Sequence, residues 1–172
     1  TAGRRLRPPD LGLAAAVGCA DLTVARPLTV AVASTGDELC AAGQVPAPGQ
    51  VYDSNRVTLL AALRQLGCRV VDLGILPDDY AVVDRILADA AARADLVVTS
   101  GGVSVGAEDH VRHAVDARGR IHTWRLAIKP GRPIALGQIG RVPFVGLPGN
   151  PVAVVVTCAI VLRPLVLRLL GA

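Results

Sequence analysis

The segment Ser100-Gly101-Gly102-Val103-Ser104-Val105-Gly106-Ala107-Glu108-Asp109 follows the apolar residues Leu96-Val97-Val98 with only Thr99 between them. Its glycines let the backbone come close to a ligand and adopt positive φ, while Ser100, Ser104 and the loop amides can donate to anionic oxygens. Asp109 stands where a helix would start, as a cap or as a metal ligand. A plain strand-to-helix connection has the same composition, so the weight of this loop depends on what accompanies it. Three further segments of similar character occur: Ser34-Thr35-Gly36-Asp37-Glu38, Gly74-Ile75-Leu76-Pro77-Asp78-Asp79 and Gly146-Leu147-Pro148-Gly149-Asn150-Pro151. The only two glutamates, Glu38 and Glu108, both fall in these segments, whereas acids serving solubility alone would be scattered. Lys129 is the only lysine in an otherwise Arg-only set of 18 basic residues. A compact ammonium suits a phosphate or oxyanion as a point charge, and Arg125 and Arg132 flank it.

These segments need a scaffold that aligns them. A length of 172 residues fits one α/β domain with a real core. Apolar residues make up 52% of the chain and aromatics 2%, so the core is built from Val, Leu, Ile and Ala, which suits parallel strands buried on both faces. Strands are expected at Leu28–Ala33, Cys68–Leu73 and Leu96–Val98, with helices at Asn55–Leu66 and Tyr80–Arg93 between them. From Ile121 onward short strands are expected at Ile121–Ala127, Pro133–Leu136 and Val142–Val145, followed by a helix that Asn150-Pro151 opens. Residues 1–27 read as an Arg- and Pro-rich connector with one short helix at Leu11–Val17, and residues 28–172 as the domain. In such sheets ligands bind beyond the carboxyl ends of the strands, which is where the four segments fall.

Several function classes are disfavoured. A net charge of +4 with few aromatics gives no support to nucleic-acid binding. Cys19, Cys40, Cys68 and Cys158 form no C-x-x-C pair and read as reduced thiols of a cytoplasmic protein. The longest apolar run, Val152–Leu162, is expected to stop at Arg163-Pro164 and so to be too short for a membrane span. No secretory signal is seen at the start, and the lack of any Met suggests a piece of a longer chain.

Five motifs in order carry a resemblance: S-T-G-D-E-L at Ser34–Leu39, D-S-N at Asp53-Ser54-Asn55, S-G-G-V-S-V-G-x-x-D at Ser100–Asp109, I-K-P-G-R-P at Ile128–Pro133 and G-L-P-G-N-P at Gly146–Pro151. Together they resemble the molybdopterin-binding domain of the MoeA-type molybdopterin molybdotransferases, the family of the gephyrin E domain. The resemblance implies a three-layer α/β/α sandwich with a mostly parallel sheet, like that of the MoaB/MogA-like proteins. It implies insertion of molybdate into adenylated molybdopterin with release of AMP.

By resemblance, Asp37, Glu38, Asp79 and Asp109 form an acidic group, with Glu38, Asp79 and Asp109 as ligands of Mg2+. Lys129, Arg125 and Arg132 receive molybdate or phosphate oxygens; Ser104, Gly101 and Gly102 cradle the pyrophosphate. Thr35, Gly36, Asp53, Ser54, Asn55, Ser100, Pro148, Asn150 and Pro151 complete the expected substrate-binding set, with catalysis resting on Glu38, Asp79, Asp109 and Lys129. Asp53 and Asn55 can equally be helix caps, and Pro148 and Pro151 can simply shape a turn and start a helix. Asp78 reads as solvent-facing, and His110, His113 and His122 lack metal-ligand spacing, so all four are left out. A homo-oligomer, with further domains of the parent protein completing the site, is also implied. The alternatives are a molybdopterin-binding or adenylyltransferase module and a non-catalytic scaffold domain of the same fold.

Overall fold

The computed structural model describes residues 4–102, 110–125, 127–131 and 133–171. In chain order the elements are α1 (Pro8–Ala16), β1 (Thr29–Thr35), β2 (Leu39–Cys40), β3 (Val51–Tyr52), α2 (Ser54–Gln65), β4 (Arg69–Leu76), α3 (Tyr80–Arg93), β5 (Leu96–Ser100) and α4 (His110–Arg118). They continue with β6 (Gly119–Arg125), β7 (Pro133–Ile139), β8 (Val142–Leu147), α5 (Pro151–Thr157), a π-helical turn (Cys158–Leu162) and α6 (Arg163–Leu169). Six strands form one sheet in the order β4-β1-β5-β8-β7-β6, while β2 and β3 pair separately. β4, β1, β5 and β8 run parallel, and β7 is antiparallel to both of its neighbours.

Alternation along the strands divides the core in two. Val30 and Val32 of β1, Leu96 and Val98 of β5, and Val145 of β8 pack with Leu59, Leu60 and Leu63 of α2 and with Val154, Cys158, Leu162 and Val166 of the C-terminal helix. Ala31, Ala33, Val97 and Phe144 point the other way, against Val83, Leu87 and Ala90 of α3 and Val111, Ala114 and Val115 of α4. The result is the expected three-layer α/β/α sandwich with a mostly parallel sheet. β5 is buried along its whole length, as a central parallel strand covered on both faces must be.

The strands run further than the sequence suggests. β1 includes Ser34 and Thr35, β4 includes Gly74 to Leu76, and β8 includes Gly146 and Leu147, so each supposed loop begins inside a strand. The two-stranded β2–β3 sheet was not expected, because two-residue strands leave no periodic signal.

The last helix departs more clearly from expectation. Arg163-Pro164 does not end it: Pro151–Leu169 is one 19-residue helix, long and apolar enough to cross a membrane by length and composition alone. The π turn explains the tolerance. In it the Arg163 N–H reaches the Cys158 carbonyl, so the helix is already widened where Pro164 offers no N–H and would crowd the preceding turn. Val154, Cys158, Leu162 and Val166, four residues apart, put one stripe of this helix into the core.

The segment before β1 is exposed over residues 4–27 except for the half-buried Asp10 and Ala14, and α1 buries no residue. Its end is pinned where Arg26 donates to both oxygens of Asp95, at 2.7 and 2.5 Å, while Asp95 also accepts from the Thr29 amide at 2.8 Å.

Candidate functional site

Register fixes where the loops emerge. Ser34 is level with Ser100, Thr35 with Leu76, and Ser100 with Leu147, so β1, β4, β5 and β8 all end along one edge. β7 is reversed and therefore starts there, with Pro133 paired to Arg125 at the end of β6. The turn carrying Lys129 joins these two ends, so the antiparallel strand brings the lysine to the edge from which the parallel-strand loops emerge. β1 leads toward α2 on one face of the sheet and β5 toward α4 on the other. The crevice between their ends is a topological switch point, where doubly wound sheets receive ligands.

The floor of the crevice is made of backbone packed too closely for side chains. Gly101 and Gly102 have φ of +83° and +60°, and a Cβ on them would fall 2.4 Å from the Thr35 carbonyl oxygen and 2.5 Å from Thr35 Oγ1. The Gly101 amide donates to the Leu147 carbonyl at 3.0 Å, joining the β5 loop to the β8 loop. Thr35 Oγ1 is buried against the glycine turn and has no hydrogen-bond partner among the described residues.

A polar network lies under this floor. Asp53 is buried and caps α2, accepting from the Arg56 amide at 3.1 Å, the Ser34 hydroxyl at 3.0 Å and Arg56 Nε at 2.9 Å. Arg56 Nη1 also reaches both oxygens of Asp72. Burial opposes the charge on Arg56, but the two carboxylates outweigh it and its pKa lies above the ordinary value. Asn55 follows Asp53 closely: its Nδ2 donates to Ser100 Oγ at 3.0 Å and to the Gly149 carbonyl at 2.7 Å. The Ser100 hydroxyl in turn donates to the Pro148 carbonyl at 3.2 Å.

The remaining expected residues take distinct places. Gly36 is partly buried beyond the end of β1, and Asp37 and Glu38 are exposed after it. Gln50 holds that turn by donating to the Asp37 carbonyl at 3.3 Å. Ser54 is exposed in the first turn of α2. Asp79 caps α3, accepting from the Val82 amide at 3.0 Å. Asn150 caps α5 through Ala153, with Pro151 at the first helical position and Pro148 buried. Lys129 is exposed, and its turn is set by the buried Gly131, whose φ is +110° and whose Cβ would lie 2.8 Å from Thr157 Cγ2. Arg125 is placed by its backbone at the end of β6. Ser104, Asp109 and Arg132 lie outside the described residues, as does Glu108. Among the described residues no group of three or more His, Cys, Asp or Glu could hold a metal ion.

Sequence reasoning passed over Arg56, whose i,i+3 spacing from Asp53 was a usable signal. It also set aside His110 and Asp78. Their side chains lie 3.2 Å apart, and the His110 ring meets Tyr80 edge-on at 6.3 Å between centroids. That cluster joins the starts of α3 and α4 and leaves no mark in local spacing.

Comparison with known proteins agrees with the five-motif resemblance. Residues 31–168 match the family described as "Probable molybdopterin binding domain". The chain is 44% identical over 169 residues to the molybdopterin molybdenumtransferase of Haemophilus influenzae, covering 98% of this chain and 42% of that protein. It is 43% identical over 168 residues to molybdopterin molybdenumtransferase 2 of Mycobacterium tuberculosis, covering 94% and 42%. A solved structure, the molybdopterin biosynthesis moeA protein from Pyrococcus horikosii, superposes with a TM-score of 0.86 at 34% identity, covering 98% of this chain and 42% of that one. The chain thus spans less than half the length of these relatives. Because the matched span runs from within β1 into α6 and takes in every loop of the carboxyl edge, the chain belongs to the probable molybdopterin binding domain family.

Proposed function

We propose that this chain is the molybdopterin-binding catalytic domain of a molybdopterin molybdotransferase, which inserts molybdate into adenylated molybdopterin and releases AMP. The observation that carries the proposal is that the Lys129 turn and the Thr35, Ser100–Gly102 and Leu147–Pro151 segments come to one edge of the sheet around a switch-point crevice. The Lys129 ammonium, with Arg125 and Arg132, receives molybdate or phosphate oxygens. The Thr35 hydroxyl and the backbone of Gly101 and Gly102, with Ser104, cradle the pyrophosphate. The cations offset the charge that develops on departing AMP. Asp37, Glu38, Asp79 and Asp109 supply the acidic side of the site, with Asp79 giving part of its carboxylate to the α3 cap. Mg2+ at Glu38, Asp79 and Asp109 belongs to the proposal by resemblance. Of these three, Glu38 and Asp79 lie among the described residues, where Glu38 is exposed and Asp79 caps α3. A homo-oligomer in which further parent domains complete the site, in the cytoplasm, is part of the same reading; the exposure of Asp37, Glu38 and Lys129 suits loops that a second surface closes over.

Calorimetric titration with adenylated molybdopterin tests the proposal. Saturable binding that weakens with added salt is expected, together with a loss of about tenfold or more in affinity for Lys129→Ala at an unchanged melting temperature. Absence of heat at millimolar ligand, or full affinity in Lys129→Ala, contradicts it.

A further inference from the structure

We propose that Asn55 is a positioning residue whose carboxamide holds the Ser100–Gly102 and Pro148–Asn150 segments together as one anion-receiving floor. The inference rests on the proposed function and changes the part that Asn55 and Ser100 play in it. Both were expected among the groups that touch substrate. Asn55 is 9% exposed and Ser100 1%. The two protons of the Asn55 amide face two oxygens, Ser100 Oγ and the Gly149 carbonyl. The single hydroxyl proton of Ser100 goes to the Pro148 carbonyl. Neither side chain therefore has a donor left for a bound oxyanion.

What the pair supplies is connection. Asn55 sits in the first turn of α2, which Asp53 ties to β1 through the Ser34 hydroxyl. From that anchor its amide reaches residues 45 and 94 positions further along the chain. The Gly101 amide closes the same circuit from the other side by bonding the Leu147 carbonyl. The ends of β5 and β8 are thus joined through one buried amide, on a helix start that Asp53 ties to β1. The glycine turn has no side chains of its own with which to hold its shape.

Aspartate is isosteric with asparagine yet cannot take its place at this position. Its carboxylate has no proton to donate and would set negative charge against the Gly149 carbonyl, leaving buried acceptors unmatched. A helix cap would tolerate the exchange, since Asn and Asp cap almost equally well. The substitution Asn55→Asp therefore separates clamping from capping.

The experiment compares wild type, Asn55→Asp, Ser100→Ala and the double variant by amide hydrogen exchange and by titration with AMP. In Asn55→Asp, exchange is expected to rise about tenfold or more at Gly101, in the first segment, and at Ala153, whose amide donates to Asn150 of the second, while Val97, Val98 and Leu59 keep their protection. AMP affinity is expected to fall about tenfold in each single variant and little further in the double. Ser100→Ala carries the test by itself should Asn55→Asp fail to fold. Faster exchange in only one segment, or loosening spread evenly over the core, overturns the proposal. So does unchanged AMP affinity with both segments loosened. If wild type itself does not bind AMP, the proposed function fails, while the exchange pattern still decides whether Asn55 clamps the two segments.

Discussion

Single residues in this chain often have partners that their local sequence does not disclose. Asp53-Ser54-Asn55 announced a helix start, and Asp53 is the cap. That Asn55 bonds Ser100 and Gly149 was not legible, because both partners are distant in sequence and meet it only once the sheet has formed. Asp95 is a second case, a loop acid whose side chain holds Arg26 and the Thr29 amide. The hydrogen bonds from Arg26 lead in pulling its pKa below the usual carboxylate value, partly opposed by burial. A carboxylate depressed in the folded state adds stability that is present above about pH 4, the unfolded value, and is lost as the pH falls through the lower folded value. Asp95→Asn keeps an acceptor for Thr29 but loses the charge. It is expected to lower the urea midpoint at pH 7 by the equivalent of less than about 1 kcal/mol, with the gap from wild type persisting at pH 5 and closing below pH 4. A gap that widens on acidification contradicts this reading.

At the scale of elements, helix and strand alternation is legible along most of the chain, and α3 at its observed bounds. What could not be read were features set by packing. The strands extend into the supposed loops because their neighbours in the sheet give those residues partners. The C-terminal helix passes Pro164 because a π turn precedes it. The Lys129 turn shows how an element can be held by one small residue. Gly131 lies against Thr157 of α5 with a left-handed backbone that side chains rarely adopt. Gly131→Ala is expected to cost roughly 1–2 kcal/mol, lowering the melting temperature by a few degrees, and to weaken adenylated molybdopterin binding by displacing Lys129. Thermal melting and the same calorimetric titration check both effects. Melting and affinity both at wild-type values would show that the turn is not held through this contact.

For the molecule as a whole, function follows from direction. Five of the six strands of the large sheet share one direction, and the single reversal, β7, delivers the Lys129 turn to the edge where the parallel strands end. The order of the motifs in the sequence already implied an edge. The sequence could not show how level the strand ends are, since register depends on interstrand pairing that leaves no local trace. The proposed function requires one edge of the sheet to bind the molybdopterin phosphates and the opposite edge to leave them alone. Backbone amide chemical shifts during titration with adenylated molybdopterin distinguish the two edges residue by residue. Saturating shifts are expected at Thr35, Gly101, Gly102, Lys129 and Gly149, with none at Thr29, Arg69, Leu96 or Val142, where the parallel strands begin. Shifts centred on those strand starts, or no shifts at millimolar ligand, would contradict the proposal.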